Sequence, residues 1–589
     1  MRQGALASLR GPAGGARVLG LSAAAVASVD AARHLGPSLL YDSDPSWAFV
    51  RLLLALALAA SAACCGALAA SLFLLWSRTP GAALAPAPVP LPRGALALLF
   101  AIALLGGALL RLTAIEDLPY PLWHDDLLLT PQALQLTGGL GDFRDAIRPV
   151  VDGNNTPVGS VGVLYLEGYR LALCACGTTV LGVRLTSVIG GFLSLVTAAA
   201  LGRALLPRGG GALTALLLAG LRWHLILSRW SWNMILLAPI LDVAALCALR
   251  ARRRGSLAAA AAAGVFAGLG AHVYLSAWIG LAALLAMLAW PPHGGGRLRA
   301  ALPIAALAAF AVVAAPLFLL REGRQTPYFT RSARHNVLVE MRRLDSPLPL
   351  LSAAADAAVA PWLIADPEPR HDLPGEKRLP LVVGTGLALA LLLCLREPSS
   401  DLSALLLPHA AGGLLASAAW GEQLSPNGSR FGYLTGIAAI GAVAGLLWLV
   451  RLAPAGARRA ASLAVIGLLL VAGARAIGDL DRWGQIQPTF DSFIGQETLV
   501  GRAALRWSRY GEVRLDAVRL YSPLMVRTIE SLAIAPRGEA IGPRPSAPSS
   551  GRLFRFAAPG AQAAASERIV ERVRDAWGRE WAVVVARRL

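Results

Sequence analysis

The tetrapeptide Trp123-His124-Asp125-Asp126 places two adjacent carboxylates beside an imidazole and an indole. It stands in the stretch Glu116 to Pro157, directly after the apolar run Gly94 to Ile115. That stretch holds seven Asp or Glu and two Arg, in a chain with 54 basic and 35 acidic residues and a net charge of +19. Carboxylates at a bilayer surface are costly unless they meet cations, water or a substrate. An acidic pair presented there is suited to taking a proton from a hydroxyl. Asp125 and Asp126 are therefore the candidate catalytic groups, with Trp123 and His124 beside them as candidate substrate contacts.

The elements that must position this pair are apolar helices. The chain has 589 residues, 56% hydrophobic and 15% charged. Uninterrupted apolar runs of about 17 to 25 residues recur between short Arg-rich or Pro/Gly-rich breaks, each long enough to span a hydrocarbon core. A soluble protein could not bury that much apolar surface. The fold class expected is an all-α polytopic membrane protein with about 11 to 13 transmembrane helices. Expected spans are 94–115, 182–206, 213–228, 232–250, 256–272, 275–290, 298–320, 379–396, 402–420, 431–450 and 460–477, with one more, 48–76, ahead of a Pro-rich linker.

The excess of Arg does not point to nucleic acid. It sits in short breaks (Arg78/Arg93, Arg203/Arg208, Arg250 to Arg254, Arg297/Arg299, Arg451/Arg458/Arg459), as orientation signals do. Placing those breaks in the cytoplasm puts the acidic stretch 116–157 outside, as the first outer loop. The same parity requires Val158 to Cys176, which contains Glu167 and Arg170, to lie as an amphipathic helix at the outer interface rather than to cross. All six cysteines fall in apolar stretches and read as packing residues.

After residue 480 the Leu-Ala runs end. Val513 to Tyr521 and Trp581 to Ala586 have strand character, and Ser566 to Arg579 reads as a charged helix. The expected organisation is thus an N-terminal region 1–93, a transmembrane catalytic domain 94–480 and a small extracytoplasmic α+β domain 481–589.

Several polar residues recur at the outer ends of spans. Trp223, Trp230 and Trp232 read as interface anchors. Arg229 runs against the charge bias and needs an anionic partner, at its blandest a lipid phosphate reached by snorkelling. His272, Tyr274, Arg331 and Arg430 occupy comparable positions. Arg, His and Tyr are the donors a phosphate requires. The expected division of labour is a carboxylate base for a hydroxyl and Arg229, His272, Tyr274, Arg331 and Arg430 for a donor phosphate.

The order of these features resembles the integral-membrane glycosyltransferases of the GT-C type, in the branch of the protein O-mannosyltransferases and the lipid A aminoarabinose transferases. The residues that carry the resemblance are Leu118-Pro119 through His124-Asp125-Asp126, Arg184-Leu185-Thr186-Ser187, Trp223 through Arg229, Gly268 through Tyr274, and Pro426 to Arg430. They cover about residues 94 to 480. The resemblance implies a polyprenyl-phosphate sugar donor and an inverting transfer to a hydroxyl at the outer face of a bacterial inner membrane. Asp125 matches the family's leading Asp and would be the general base; the family often has Glu where this chain has Asp126. Protein, glycolipid and cell-wall polymer acceptors all remain open. No cofactor is expected: no His or Cys set has metal spacing, although adjacent carboxylates leave a divalent ion open. The rival reading is a transporter or flippase for a lipid-linked or anionic substrate, which should place charged residues near the middle of spans.

Overall fold

The computed structural model describes residues 86–139, 142, 147–151, 157–290, 300–319, 341–342, 345–363, 365–366, 368–418, 432–493, 495–515, 526, 529 and 552–588. The expected span 48–76 lies outside these residues.

The bundle begins where Pro90 and Pro92 give way to α1 (Arg93–Leu112), a 20-residue apolar helix. At 1.5 Å per residue it covers about 30 Å, the thickness of a hydrocarbon core. Leu98 and Leu105 stand more than half exposed on its outer side, as lipid-facing residues do. The chain then forms α2 (His124–Leu134), a two-stranded antiparallel ribbon of β1 (Ile147–Val151) and β2 (Pro157–Gly162), and α3 (Val163–Cys176). Next come α4 (Val180–Leu205), α5 (Gly210–Ala219), α6 (Arg222–Leu227), α7 (Met234–Arg254), α8 (Leu257–Ala271), α9 (Ala277–Ala289) and α10 (Ala301–Ala314). The bundle closes with α11 (Leu348–Leu363), α12 (Leu381–Arg396), α13 (Asp401–Ala418), α14 (Thr435–Leu452) and α15 (Arg458–Gln485).

Each of the eleven expected spans from residue 94 onward has a helix at its place. Among the described residues, five helices are long and apolar enough to cross on their own, or six with α12 and α13 taken as one span bent by 114°. Two expectations need correcting. Residues 213–228 are not continuous: the helix breaks at Gly220-Leu221, where a side chain on Gly220 would meet the backbone of Gly473 in α15. Residues 158–176 are a strand followed by a 14-residue helix, and β2 has its partner in β1.

Small residues set the helix spacing, as expected where lipid gives no hydrophobic drive to association. Gly264 of α8 abuts the Ala306 carbonyl of α10, and Gly445 of α14 abuts the Gly386 carbonyl of α12. Among the described residues, the Arg250 to Arg254 break gathers with the ends of α4, α9 and α13. Arg252 donates to the carbonyls of Met287 and Trp290, at 2.8 and 2.6 Å. Arg253 pairs with Asp401 at 2.8 Å and donates to Ala204 O at 2.9 Å. This is the grouping that the charge pattern required.

The opposite end carries the C-terminal domain. After α16 (Gln487–Ser492) and α17 (Gly495–Ser508) come β3 (Glu512–Leu515), β4 (Arg552–Ala557), β5 (Arg568–Arg574) and β6 (Glu580–Arg588). They form one sheet in the order β3-β4-β6-β5, with β3 and β4 parallel and the other pairs antiparallel. Val500, Ala503 and Ala504 of α17 pack on the face made by Phe554, Phe556, Val573, Ala582 and Val584. The helix expected over Ser566 to Arg579 is instead β5. Ile569, Val570 and Val573 are β-branched, and Asp575 accepts the Trp577 and Arg579 N–H groups to turn the chain back as β6.

Gly445→Ala should cost about 1–3 kcal/mol by forcing α12 and α14 apart. Gly467→Ala, whose Cβ meets nothing, should be neutral or slightly stabilising. Thermal unfolding in detergent measures both, and equal melting temperatures would refute the close packing.

Candidate active site

The segment between α1 and α2 has little secondary structure of its own, so its carbonyls need partners. Two buried arginines supply them. Arg229 donates from Nε to Leu118 O (3.1 Å), from Nη1 to Leu110 O (2.5 Å), and from Nη2 to Thr113 O (2.7 Å) and Ala114 O (3.0 Å). Arg184 donates to Ile115 O (2.5 Å) and Pro121 O (2.7 Å). Both are fully buried. Three of the six carbonyls belong to the C-terminal end of α1 and the residues just past it, where a helix leaves acceptors unpaired and favours cations.

Arg229 therefore does not snorkel to the membrane surface: its guanidinium holds the loop that delivers Asp125. Arg111, also fully buried, sits beside it and donates to Gly107 O at 2.7 Å, with its Nη2 2.6 Å from His224 Nδ1.

The loop ends in α2, whose first turn contains His124, Asp125 and Asp126. The side chains of His124 and Asp125 lie outside the described residues. Asp126 is buried, and its Oδ2 accepts the Trp123 N–H at 2.9 Å as an N-terminal cap. Its carbonyl accepts Thr130 Oγ1 (2.7 Å) and Tyr169 OH (2.9 Å), which ties α2 to α3. Asp126 thus fixes the start of the helix that carries Asp125. Leu122 N–H donates to Thr498 Oγ1 of α17 at 3.1 Å, so the C-terminal domain holds the same turn from above.

Around Trp123 lies an aromatic cluster. Phe493 meets Trp123, Trp230 and Trp483 edge-on at 6.3, 5.4 and 5.8 Å between centroids. Trp230 stacks on Trp232 at 4.8 Å, and Tyr274 joins through Trp232 at 5.9 Å. Trp223 and Trp230 are buried, so the reading of these two as interface anchors does not hold. His272, at the end of α8, is buried with Nε2 2.9 Å from Val313 O. Arg331 and Arg430 lie outside the described residues.

Sequence reasoning passed over the strap Asp366 to Arg378, which closes this cluster. Arg370 lies over the Trp123 ring, 3.7 Å from its centroid, and forms a fork with both oxygens of Glu368 at 2.9 Å. His371 stacks against Trp230 and lies tilted against Trp232. Arg222 binds Asp372 and Asp479, each at 2.7 Å, and Lys377 O at 2.6 Å. Trp483 donates to Pro369 O at 2.6 Å. The signal was present: Asp366 to Arg378 holds seven charged residues and a histidine in thirteen positions, in a chain that is 15% charged.

Burial opposes ionisation of Asp366. The His371 ring, the Arg378 guanidinium at 2.7 Å and the Glu368 N–H outweigh it and hold the carboxyl at about 2. Burial lowers His371 below its ordinary value despite Asp366, so the ring is neutral at pH 7 and Arg378 is the standing countercharge.

No family model matches the sequence, and no curated protein does. Among solved structures, ArnT of Cupriavidus metallidurans bound to undecaprenyl phosphate is similar at 13% identity and a TM-score of 0.46, over 84% of this chain and 98% of that one. The oligosaccharyltransferase AglB of Archaeoglobus fulgidus, in complex with an inhibitory peptide and a dolichol-phosphate, is similar at 14% identity and a TM-score of 0.43. That match covers 77% of this chain and 60% of AglB. Another structure of the Archaeoglobus fulgidus oligosaccharyltransferase, tethered to an acceptor peptide, gives 14% identity and a TM-score of 0.45, over 75% and 64%. The chain thus spans less than two thirds of the archaeal enzyme's length.

Removing the Arg229 fork orphans the Leu110, Thr113 and Leu118 carbonyls at about 1–3 kcal/mol each where nothing replaces it, while Ala114 O keeps the Asp117 and Leu118 N–H groups. Arg229→Met should lower stability by at least about 3 kcal/mol, and Arg229→Lys should recover only part, because one ammonium cannot reach all four. Thermal unfolding of the two variants checks this. His371 contributes stability above about pH 6.5, its ordinary value, and loses it as pH falls through its lowered value. Acidification should therefore quench the emission of Trp230 and Trp232. His371→Phe should abolish that quenching.

Proposed function

We propose that this chain is a membrane glycosyltransferase that moves a sugar from a polyprenyl-phosphate donor to a hydroxyl acceptor, with inversion. Asp125 is the general base. The observation that carries the reading is the turn His124-Asp125-Asp126, anchored by Arg184, Arg229, Asp126 and Thr498 where the apolar bundle meets the C-terminal domain. A prenyl chain needs the lipid-facing bundle, and an acceptor hydroxyl needs a base beyond its polar end. Both are available within one loop.

In this reading the acceptor hydroxyl gives its proton to Asp125 as its oxygen bonds to the anomeric carbon. The bond from that carbon to the phosphate oxygen breaks, and the lipid phosphate leaves with the electron pair. Asp126 and the two arginines hold the geometry. The site faces the extracytoplasmic side of a bacterial inner membrane, with the Arg-rich end of the bundle in the cytoplasm. His272 packs against the start of α3, where its carbonyl accepts the Leu164 N–H, and Tyr274 stands at the wall of the aromatic cluster; Trp123 and His124 are the candidate sugar contacts. Arg331 and Arg430 remain candidates for the donor phosphate. The acceptor is a protein, a glycolipid or a cell-wall polymer.

The test is release of free undecaprenyl phosphate by the purified protein given an undecaprenyl-phosphate sugar and candidate acceptors. Asp125→Asn should reduce turnover at least about 100-fold with melting temperature unchanged. Turnover that survives Asp125→Asn would sink the assignment of the base.

A further inference from the structure

Four arginines surround the segment that leads into α2: Arg111, Arg184, Arg229 and Arg502, none more than 4% exposed. They follow one another as electrostatic neighbours, Arg111 beside Arg229, Arg229 beside Arg184, and Arg184 beside Arg502. Asp126 is the buried carboxylate within reach of Arg184, while Glu116 is partly exposed and Asp117 exposed. Arg111, Arg184 and Arg229 hydrogen-bond to carbonyls, and Arg111 also to the His224 ring.

Arg502 differs from the other three. It comes from α17, one turn after the Thr498 that holds Leu122, and its guanidinium lies 4.2 Å from the Tyr120 ring centroid. Its Nε and Nη2 are buried and make no hydrogen bond among the described residues. These two nitrogens form the side edge of the guanidinium, whose parallel N–H groups match two oxygens of one phosphate. A buried cation with an unused fork, beside further buried cations, is unfavourable unless an anion completes it.

We infer that the Nε–Nη2 edge of Arg502 binds a phosphate ester beside Tyr120, so that the C-terminal domain completes the site by supplying a substrate-binding residue. That the phosphate belongs to the lipid donor rests on the function proposed above; the oxyanion chemistry does not. Tyr120 stacking orients the fork, and the Thr498–Leu122 bond keeps it registered against the turn that bears Asp125.

The experiment is binding rather than turnover, so its outcome is independent of whether sugar is transferred. Full-length protein in nanodiscs is titrated with undecaprenyl phosphate, uncharged undecaprenol and inorganic phosphate, read by tryptophan fluorescence. Arg502→Gln should weaken undecaprenyl phosphate binding about 10- to 100-fold and leave undecaprenol unaffected. Arg506→Gln, on the sheet side of the same helix, should stay within about twofold of the native affinity. Arg502→Lys keeps the charge without the fork, and should fall between native and Arg502→Gln should the latter fold poorly.

Unchanged affinity for both phosphates, with only the melting temperature lowered, would show that Arg502 merely docks the domain and would overturn the inference. An effect on inorganic phosphate alone would overturn the lipid assignment. Asp125→Asn leaving turnover intact while Arg502→Gln loses lipid would instead fault the proposed base and spare this site.

Discussion

The structure depends on how two buried guanidinium groups pair six carbonyls between Leu110 and Pro121. Irregular backbone at the edge of a bilayer is tolerated only where the protein itself pairs its polar groups. A lysine has one charged atom, but a guanidinium has five N–H groups in a rigid plane and can hold several carbonyls at once. Arg229 takes four and Arg184 takes two. The cost of burying two charges is offset by dipoles aimed at them, including the negative end of α1. The loop thereby acquires a fixed path, and α2 a fixed starting point.

The same economy explains why polar and aromatic groups crowd this end of the bundle. The strap Asp366 to Arg378 crosses the cluster and is held from three directions: Arg222 below, Trp483 to one side and Arg378 within the strap itself. Arg370 lies on the Trp123 face, where cation and ring attract each other. Thr498 and Arg502 close the remaining side from the C-terminal domain. Loop, strap and domain make contact with one short segment, Tyr120 to Trp123, immediately ahead of Asp125.

The helices were legible because apolar length is a strong and local signal. Their grouping by end followed from Arg placement, which Arg252 and Arg253 confirm through their contacts with Met287, Trp290, Ala204 and Asp401. The loop pair Asp125/Asp126 stands out as an acidic island, but the capping role of Asp126 does not. Adjacent residues at a helix start point in different directions, and a one-residue change decides which one caps. Arg229 is legible as exceptional, yet the sequence points to an anion as its partner, because carbonyls leave no trace in a sequence. The break at Gly220 and the strand β5 depend on neighbours distant in sequence, Gly473 and β6, which no local pattern reveals.

In the proposed reaction this arrangement also limits what the base alone can do. An aspartate, with an ordinary value of about 3.9, is a weak proton acceptor towards an alcohol. Asp125 belongs to the first turn of α2, with Arg184 beneath that turn through Pro121 O. Such a base takes a proton efficiently only once the hydroxyl has become acidic, as its oxygen bonds to an electron-poor anomeric carbon. The carbon reaches that state as its bond to phosphate lengthens, so stabilisation of the departing phosphate must lead and proton removal must follow. An arginine whose fork is unused before substrate arrives is suited to that leading role, because its hydrogen bonds can form without first breaking others. Catalysis would then rest on the charge placed around the leaving group at least as much as on the carboxylate opposite it.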